Sequence, residues 1–179
     1  MRGTKRALAA VALAAVATMA GGAAASAGGK PAEPSLVGSV KLARADGDDV
    51  RFAIDAHGLG PDARGTFRVS HRSGAASGWF AGKVDCLVVG GPVAVLTGVV
   101  TDTNLPELKG LRRGITVYDN GKHDRLGYSW VIEDGKSVPK CLSSAPFERV
   151  ESGDFEAVEW FPPAQGPKWT NEAQKGGAE

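Results

Sequence analysis

Residues 78–101, GWFAGKVDCLVVGGPVAVLTGVVT, form the longest apolar and β-branched run after the N-terminus, split near the middle by Gly90-Gly91-Pro92. Val, Thr and aromatic side chains suit a pleated, half-buried surface, so the run predicts two strands joined by a tight turn. On the first arm the period-2 reading puts Phe80, Val84, Cys86 and Val88 on one face, and Lys83 and Asp85 on the other. Gly90 and Gly91 supply the positive φ angles of a short connection, and Pro92, lacking an N–H, belongs at the start of the second arm. There Val93, Val95 and Val99 oppose Ala94, Leu96 and Val100, so both faces are apolar. A strand of that kind is covered on both sides, or meets another subunit or the C-terminal tail. A buried helix is the rival, but Gly82, Gly90, Gly91, Pro92 and Gly98 would interrupt it.

The N-terminus has a different character. Arg2, Lys5 and Arg6 precede an apolar run from Ala7 to Ala20, and Ala25-Ser26-Ala27 provides small residues for cleavage. That is the build of a secretory leader over residues 1–27. The run is shorter than the ~20 residues of a spanning helix, so no membrane insertion is expected after cleavage. The mature chain would carry 18 basic against 20 acidic side chains, a net charge of −2. So nearly neutral a surface argues against nucleic acid as a partner. Cys86 and Cys141 are the only cysteines, and in an exported chain they predict one disulfide. Closing a loop of some 55 residues would stabilise the fold by roughly 4 kcal/mol.

The remaining segments read as short strands divided by turn chemistry. Residues 28–35 form a flexible linker rich in small residues. Leu36, Val40 and Leu42 share one face of a first strand, before the turn at Ala45–Asp49. Phe52, Ile54 and Ala56 point inward with Arg51, Asp55 and His57 outward, and Phe67 and Val69 repeat the pattern. Asp102–Gly114 is a polar connection whose Arg112-Arg113 pair reads as a solvated turn. A short strand covers Ile115–Tyr118, Asp119-Asn120-Gly121 is a turn, and Gly127–Glu133 follows with Tyr128, Trp130 and Ile132 on one face. A last strand spans Gly153–Phe161, and 162–179 is a polar tail expected to be disordered. About eight short strands without a helix predict an all-β domain over 36–161, a single antiparallel barrel or barrel-like sandwich.

Several of these segments carry a resemblance. Residues 50–57 (VRFAIDAH), Gly65-Thr66-Phe67, the run Gly82–Gly90 with Ala94 and Gly98, and Val117–Gly121 with Asp124 occur in that order. The order resembles a group of small exported bacterial proteins, common in actinobacteria. They share an F-x-x-x-A strand, a G-x-V-x-C-x-x-V-x-G hairpin and a D-N-G turn. The resemblance covers roughly residues 37–158 and implies a secreted β-barrel, with no activity attached. The chain departs from the pattern at Gly91-Pro92, where Asn or Asp and then a small residue are expected.

No catalytic constellation is legible. The three histidines, His57, His71 and His123, stand singly, and no nucleophile elbow or zinc spacing is present. A His–Asp pair across neighbouring strands is the remaining acid–base arrangement. Asp119–Asp124 faintly echoes a calcium loop but lacks the acidic positions one needs; no metal or other cofactor is expected. His71, Trp79, Trp130 and Trp160 are the candidate mouth residues of a barrel, where aromatics clasp an apolar or sugar ligand. The expectation is therefore a non-enzymatic extracellular binding or structural module. Its partner would be a small apolar ligand or another extracellular protein. The alternatives are a barrel-mouth isomerase or hydrolase, and a protease inhibitor presenting Lys140.

Overall fold

The computed structural model describes residues 33–131 and 135–159. Among them eight strands run in sequence: β1 (Ser35–Leu42), β2 (Asp49–His57), β3 (Arg64–Ser73), β4 (Ala76–Gly90), β5 (Val93–Thr103), β6 (Arg112–Tyr118), β7 (Arg125–Tyr128) and β8 (Glu148–Val158). Each pairs antiparallel with the next, and β8 pairs with β1, closing the barrel. Closure leaves no exposed sheet edge, and eight strands enclose a space that side chains can fill. The leader and the tail, with Trp160 and Trp169, lie outside the described residues.

The alternation read from the sequence fills the interior. Leu36, Val40 and Leu42 from β1, Phe52 and Ile54 from β2, and Phe67 and Val69 from β3 are all buried. Ala94, Leu96 and Val100 join them from β5, and Ile115, Val117, Leu126 and Phe155 complete the ring. Phe67 occupies the middle because Gly98 and Gly82 face it without side chains. A Cβ on either would stand 2.5 Å from the ring.

The central hairpin forms, but its first arm changes parity partway. A β-bulge between Val84 and Cys86 makes Asp85 the extra residue opposite β5. Leu87 and Val89 therefore enter the core, while Val88 turns outward and is 44% exposed. Cys86 and Val88 thus do not share the face of Phe80 and Val84, as strict alternation required. The bulge is held by Asp85 itself, whose carboxylate accepts from Thr97 Oγ1 at 2.7 Å and from Arg112 Nε at 2.7 Å. At the tip only Gly91 takes a positive φ, +55°. Pro92 cannot adopt one, which leaves a turn with its left-handed residue first.

The outer face of β5 is covered by the chain itself. Residues 135–147 form an irregular strap across β4 to β7, fastened by the Cys86–Cys141 disulfide with Cα atoms 5.4 Å apart. The Cys141 amide donates to Thr97 Oγ1 at 3.1 Å, the Val138 amide to the Arg112 carbonyl at 3.2 Å, and Ser144 Oγ to the Tyr128 carbonyl at 3.2 Å. The strap lies so close that a Cβ at Gly127 would stand 2.1 Å from the Ala145 carbonyl oxygen.

Three boundaries differ from the sequence expectation. β6 begins at Arg112, and Arg113 is buried, 2% exposed, instead of lying in a solvated turn. β7 stops at Tyr128, because Ser129–Val131 winds into a 3₁₀ turn that carries Trp130 out of strand register. Ile132 lies outside the described residues. β8 starts five residues early, at Glu148 rather than Gly153, since a polar strand exposed on one face lacks the apolar signal that marks the others.

Candidate functional site

Buried apolar side chains occupy one end of the barrel, and a cup opens at the other. The closed end gathers the β4–β5 turn, the ends of β6 and β8, and the Asp119–Asp124 loop. The open end is formed by the C-terminal ends of β1, β3, β5 and β7 and the N-terminal ends of β2, β4, β6 and β8. There a cup of about 310 Å³ opens above Phe52 and Val69.

Four aromatic side chains build the cup. Tyr128 and Trp130 stack at 4.4 Å between centroids, and Phe52 lies 5.9 Å from each, all three rings within 25° of parallel. Phe80 meets Trp130 edge-on, at 5.4 Å and 85°. Offset stacking and edge contact are the arrangements that the charge distribution of an aromatic ring favours. The 3₁₀ turn brings Trp130 here: by leaving the strand path, the chain folds its indole over Tyr128 and Phe52. Leu105 and Leu108, from the loop between β5 and β6, form the opposite wall.

Polar groups ring the apolar lining. Arg44, just beyond β1, donates through Nη1 to Glu148 Oε1 at 2.8 Å and through Nη2 to the Tyr128 hydroxyl at 3.2 Å. Tyr128 in turn donates to Glu148 Oε1 at 2.9 Å. Burial first, and then the Glu148 carboxylate, raise the Tyr128 phenol above its ordinary value, so it stays protonated as the donor in this triad. Arg44 Nε is buried with no acceptor among the described residues. Arg113 also lines the cup, its guanidinium donating to the Lys136 carbonyl at 2.9 Å. Glu107 and His71 stand on the rim.

His71 Nε2 is bonded to Asp48 Oδ2 across the β2–β3 hairpin. That bond, followed by one from Ser73, holds the Asp48 carboxyl below its usual range. The second such pair, His57 Nε2 to Asp55 Oδ1 at 2.7 Å, lies on the outer wall at the closed end. His123 sits exposed in the 3₁₀ turn Gly121–His123.

Of the sequence-derived mouth residues, the structure brings His71 and Trp130 together in the cup. Trp79 is on the outer wall, where the Arg68 guanidinium lies 4.4 Å above its ring. Trp160 lies outside the described residues. Lys140 is exposed on the strap, beside Cys141. Sequence reasoning missed Arg44, Arg113 and Tyr128 as cup residues. The alternation that carries Arg113 inward was present, since Ile115 and Val117 continue it, but a charged residue ordinarily marks the wet face.

The Asp119–Asp124 loop serves closure of the barrel. Asp124 Oδ1 accepts from the Asn120 amide and Oδ2 from the Phe155 amide, both at 2.9 Å, and Asp119 Oδ2 accepts from the Ala157 amide at 2.9 Å. Among the described residues no group of three His, Cys, Asp or Glu side chains converges as a metal site. No family model matches the chain, and no curated protein or solved structure matches it either.

Proposed function

We propose that this protein is an exported, non-enzymatic binding barrel that holds a small ligand in the cup at its mouth. The observation that carries the reading is the cup itself, a hollow at one end of the barrel with an aromatic and aliphatic lining and polar groups at its margin. Ligand sites are typically concave and mostly apolar, with a few placed polar groups to orient the guest. Phe52, Phe80 and Tyr128 belong to the buried core, and with half-buried Trp130 they give the cup an aromatic lining on which an apolar guest can pack. Export is supported by the leader over residues 1–27 and by the disulfide, which persists in oxidising compartments.

The test is a calorimetric and thermal-shift screen of the full chain against a mixed library of compounds of about 150–300 Da, a size suited to the smaller pockets. Gly78→Leu serves as the plugged control. Gly78 lines the cup, and the atoms nearest a Cβ there belong to the Leu105 side chain, the first at 3.0 Å. Binders should appear with the native protein and vanish with Gly78→Leu while its melting temperature holds. A library without binders, or binders indifferent to the plug, would remove the reading.

One observation favours a second reading. His71 lines the cup and is bonded through Nε2 to the Asp48 carboxylate, the His–carboxylate arrangement that general bases use. A barrel-mouth isomerase or hydrolase would then show turnover that His71→Gln abolishes without loss of ligand affinity. Absence of turnover on ester and ketone panels would leave the binding reading alone.

A further inference from the structure

We infer that the Cys86–Cys141 disulfide is a redox latch on the cup: a dithiol that opens it frees the strap, and the strap then draws on the cup's wall and rim. The change of shape needs no ligand. Only its consequence, release of a guest, rests on the cup being a binding site.

The strap is joined to the cup at several points. Trp130 precedes it in the chain, and Glu148, which pairs with Arg44 and Tyr128, follows it directly. Between them the Lys136 carbonyl accepts from the Arg113 guanidinium that lines the cup. Phe147, the last strap residue, packs on the Tyr128 ring with centroids 5.0 Å apart. Displacing the strap therefore disturbs Trp130, Arg113 and Glu148 together.

Away from the disulfide the strap is weakly seated. Ser137 Oγ accepts from the Arg112 amide at 3.0 Å, and Lys136, Val138, Cys141 and Ser144 make further bonds to the barrel. Against these stand two buried hydroxyls without a hydrogen-bond partner among the described residues, Ser143 Oγ on the strap and Thr116 Oγ1 on β6. Thr116 is in register with Gly127, whose open side the strap covers. Each of these hydroxyls opposes docking, because water satisfies it once the strap lifts. Cys141 adds backbone strain. Its φ of +61° makes it the one non-glycine residue with a positive φ among the described residues, a conformation unfavourable for any residue with a Cβ. The covalent bond thus holds down a segment whose other interactions partly oppose one another.

Exchange can begin from outside the barrel. Cys86 is fully buried, whereas Cys141 is half-buried. A thiolate of the dithiol attacks Cys141 Sγ, forming a mixed disulfide and expelling Cys86 as a thiolate, which takes up a proton. The second thiolate of the dithiol then attacks the dithiol sulfur of that mixed disulfide and expels Cys141, which is protonated in turn. Two electrons have passed to the protein, and the dithiol leaves as a cyclic disulfide.

The experiment compares the full chain oxidised and in dithiothreitol, with alkylation and mass measurement to count free thiols. Hydrogen exchange follows the strap through the amides of positions 138 and 141, and the barrel through β1–β3. Acrylamide quenching follows Trp130, whose signal is isolated by subtracting that of Trp130→Phe. On reduction the strap amides should exchange about tenfold faster or more while β1–β3 stay protected. Trp130 emission should shift to the red and quench more readily. Cys86→Ser with Cys141→Ser should reproduce both changes without reductant. Four results would overturn the latch: no free thiols under native conditions, unchanged strap exchange after full reduction, unchanged Trp130 once the strap has loosened, or loss of β1–β3 protection along with the strap. A further pair of variants reads the strain. In a Cys86→Ser background, Cys141→Gly should keep the amide of position 138 about threefold better protected than Cys141→Ser, because glycine accepts the left-handed angle. Equal or poorer protection would show that Cys141 is unstrained and the disulfide one fastening among several. If the latch results hold while the library screen finds no plug-sensitive binder, the binding reading falls and the latch stands.

Discussion

Asp124 Oδ2 accepts the backbone N–H of Phe155 at 2.9 Å, and with that bond a carboxylate does what a strand does elsewhere in the barrel. β7 and β8 share only two register pairs, Arg125 with Arg149 and Leu126 with Glu148. Further along β8 the amides of Phe155 and Ala157 have no strand partner on that side. The side chains of Asp124 and Asp119 take them instead. The other Asp124 oxygen accepts from Asn120, which fixes the loop that delivers both aspartates.

Removing that carboxylate should open the seam. Asp124→Ala leaves two amides without acceptors, the Phe155 one buried, and is expected to cost about 3 kcal/mol in denaturant unfolding. Asp119→Ala, in a half-buried position, should cost about 1 kcal/mol. Equal losses for the two variants would contradict the assignment of Asp124 as the principal bolt.

The pH dependence follows from the direction of the Asp124 shift. Burial above all, aided by Asp119 and Asp154, raises its folded pKa above the ordinary 3.8. The native state therefore holds that proton more readily than the unfolded chain. Between 3.8 and the raised folded value, this residue's contribution to stability falls as pH increases. Measured against Asp124→Asn, which does not titrate, the native protein should gain relative stability as pH drops through that window and show a flat difference above it. A difference that slopes the other way would contradict the shift.

The strap should depend on its disulfide more than the barrel does. Cys86→Ser with Cys141→Ser is expected to lose up to roughly 4 kcal/mol, since the loop between the two is long. Hydrogen exchange should rise first at the backbone amides of positions 138 and 141 while β1–β3 stay protected. Uniform loss of protection across the barrel would show that the strap is integral to the core.

Filling the space reserved for Phe67 should be costly. Gly98→Ala would place a Cβ 2.4 Å from the Lys83 carbonyl oxygen and 2.5 Å from the Phe67 ring. Because one of those neighbours is backbone, the strands must shift, and a loss of about 1–3 kcal/mol in thermal or denaturant unfolding is expected. A neutral outcome would place Phe67 elsewhere.

Much of this architecture is legible in one dimension because it rests on short-range rules. Phe52-x-Ile54-x-Ala56 and Phe67-x-Val69 point into the barrel for the reason that alternation predicts: successive side chains on a strand face opposite ways. The pairing of Cys86 with Cys141 followed from their number, since two cysteines admit a single intramolecular disulfide. The candidate site was half legible. His71 lies on the face of Val69, so the same alternation puts it at the mouth. Trp130 reaches the cup by a 3₁₀ turn that no periodicity announces.

What the tertiary structure alone decided are the places where distant segments set the environment. Asp85 bulges out of β4 because Thr97 and Arg112 are there to bond it, and that insertion reverses which residues beyond it face the core. Arg113 is buried with its guanidinium donating to the Lys136 carbonyl, and half-buried Arg44 is paired with Glu148, neither partner near in sequence. Alternation is a property of each strand by itself, so the chain carries it openly. Bulges, buried cations and a hollow left between rings are properties of several strands at once, and exist only when the barrel has closed.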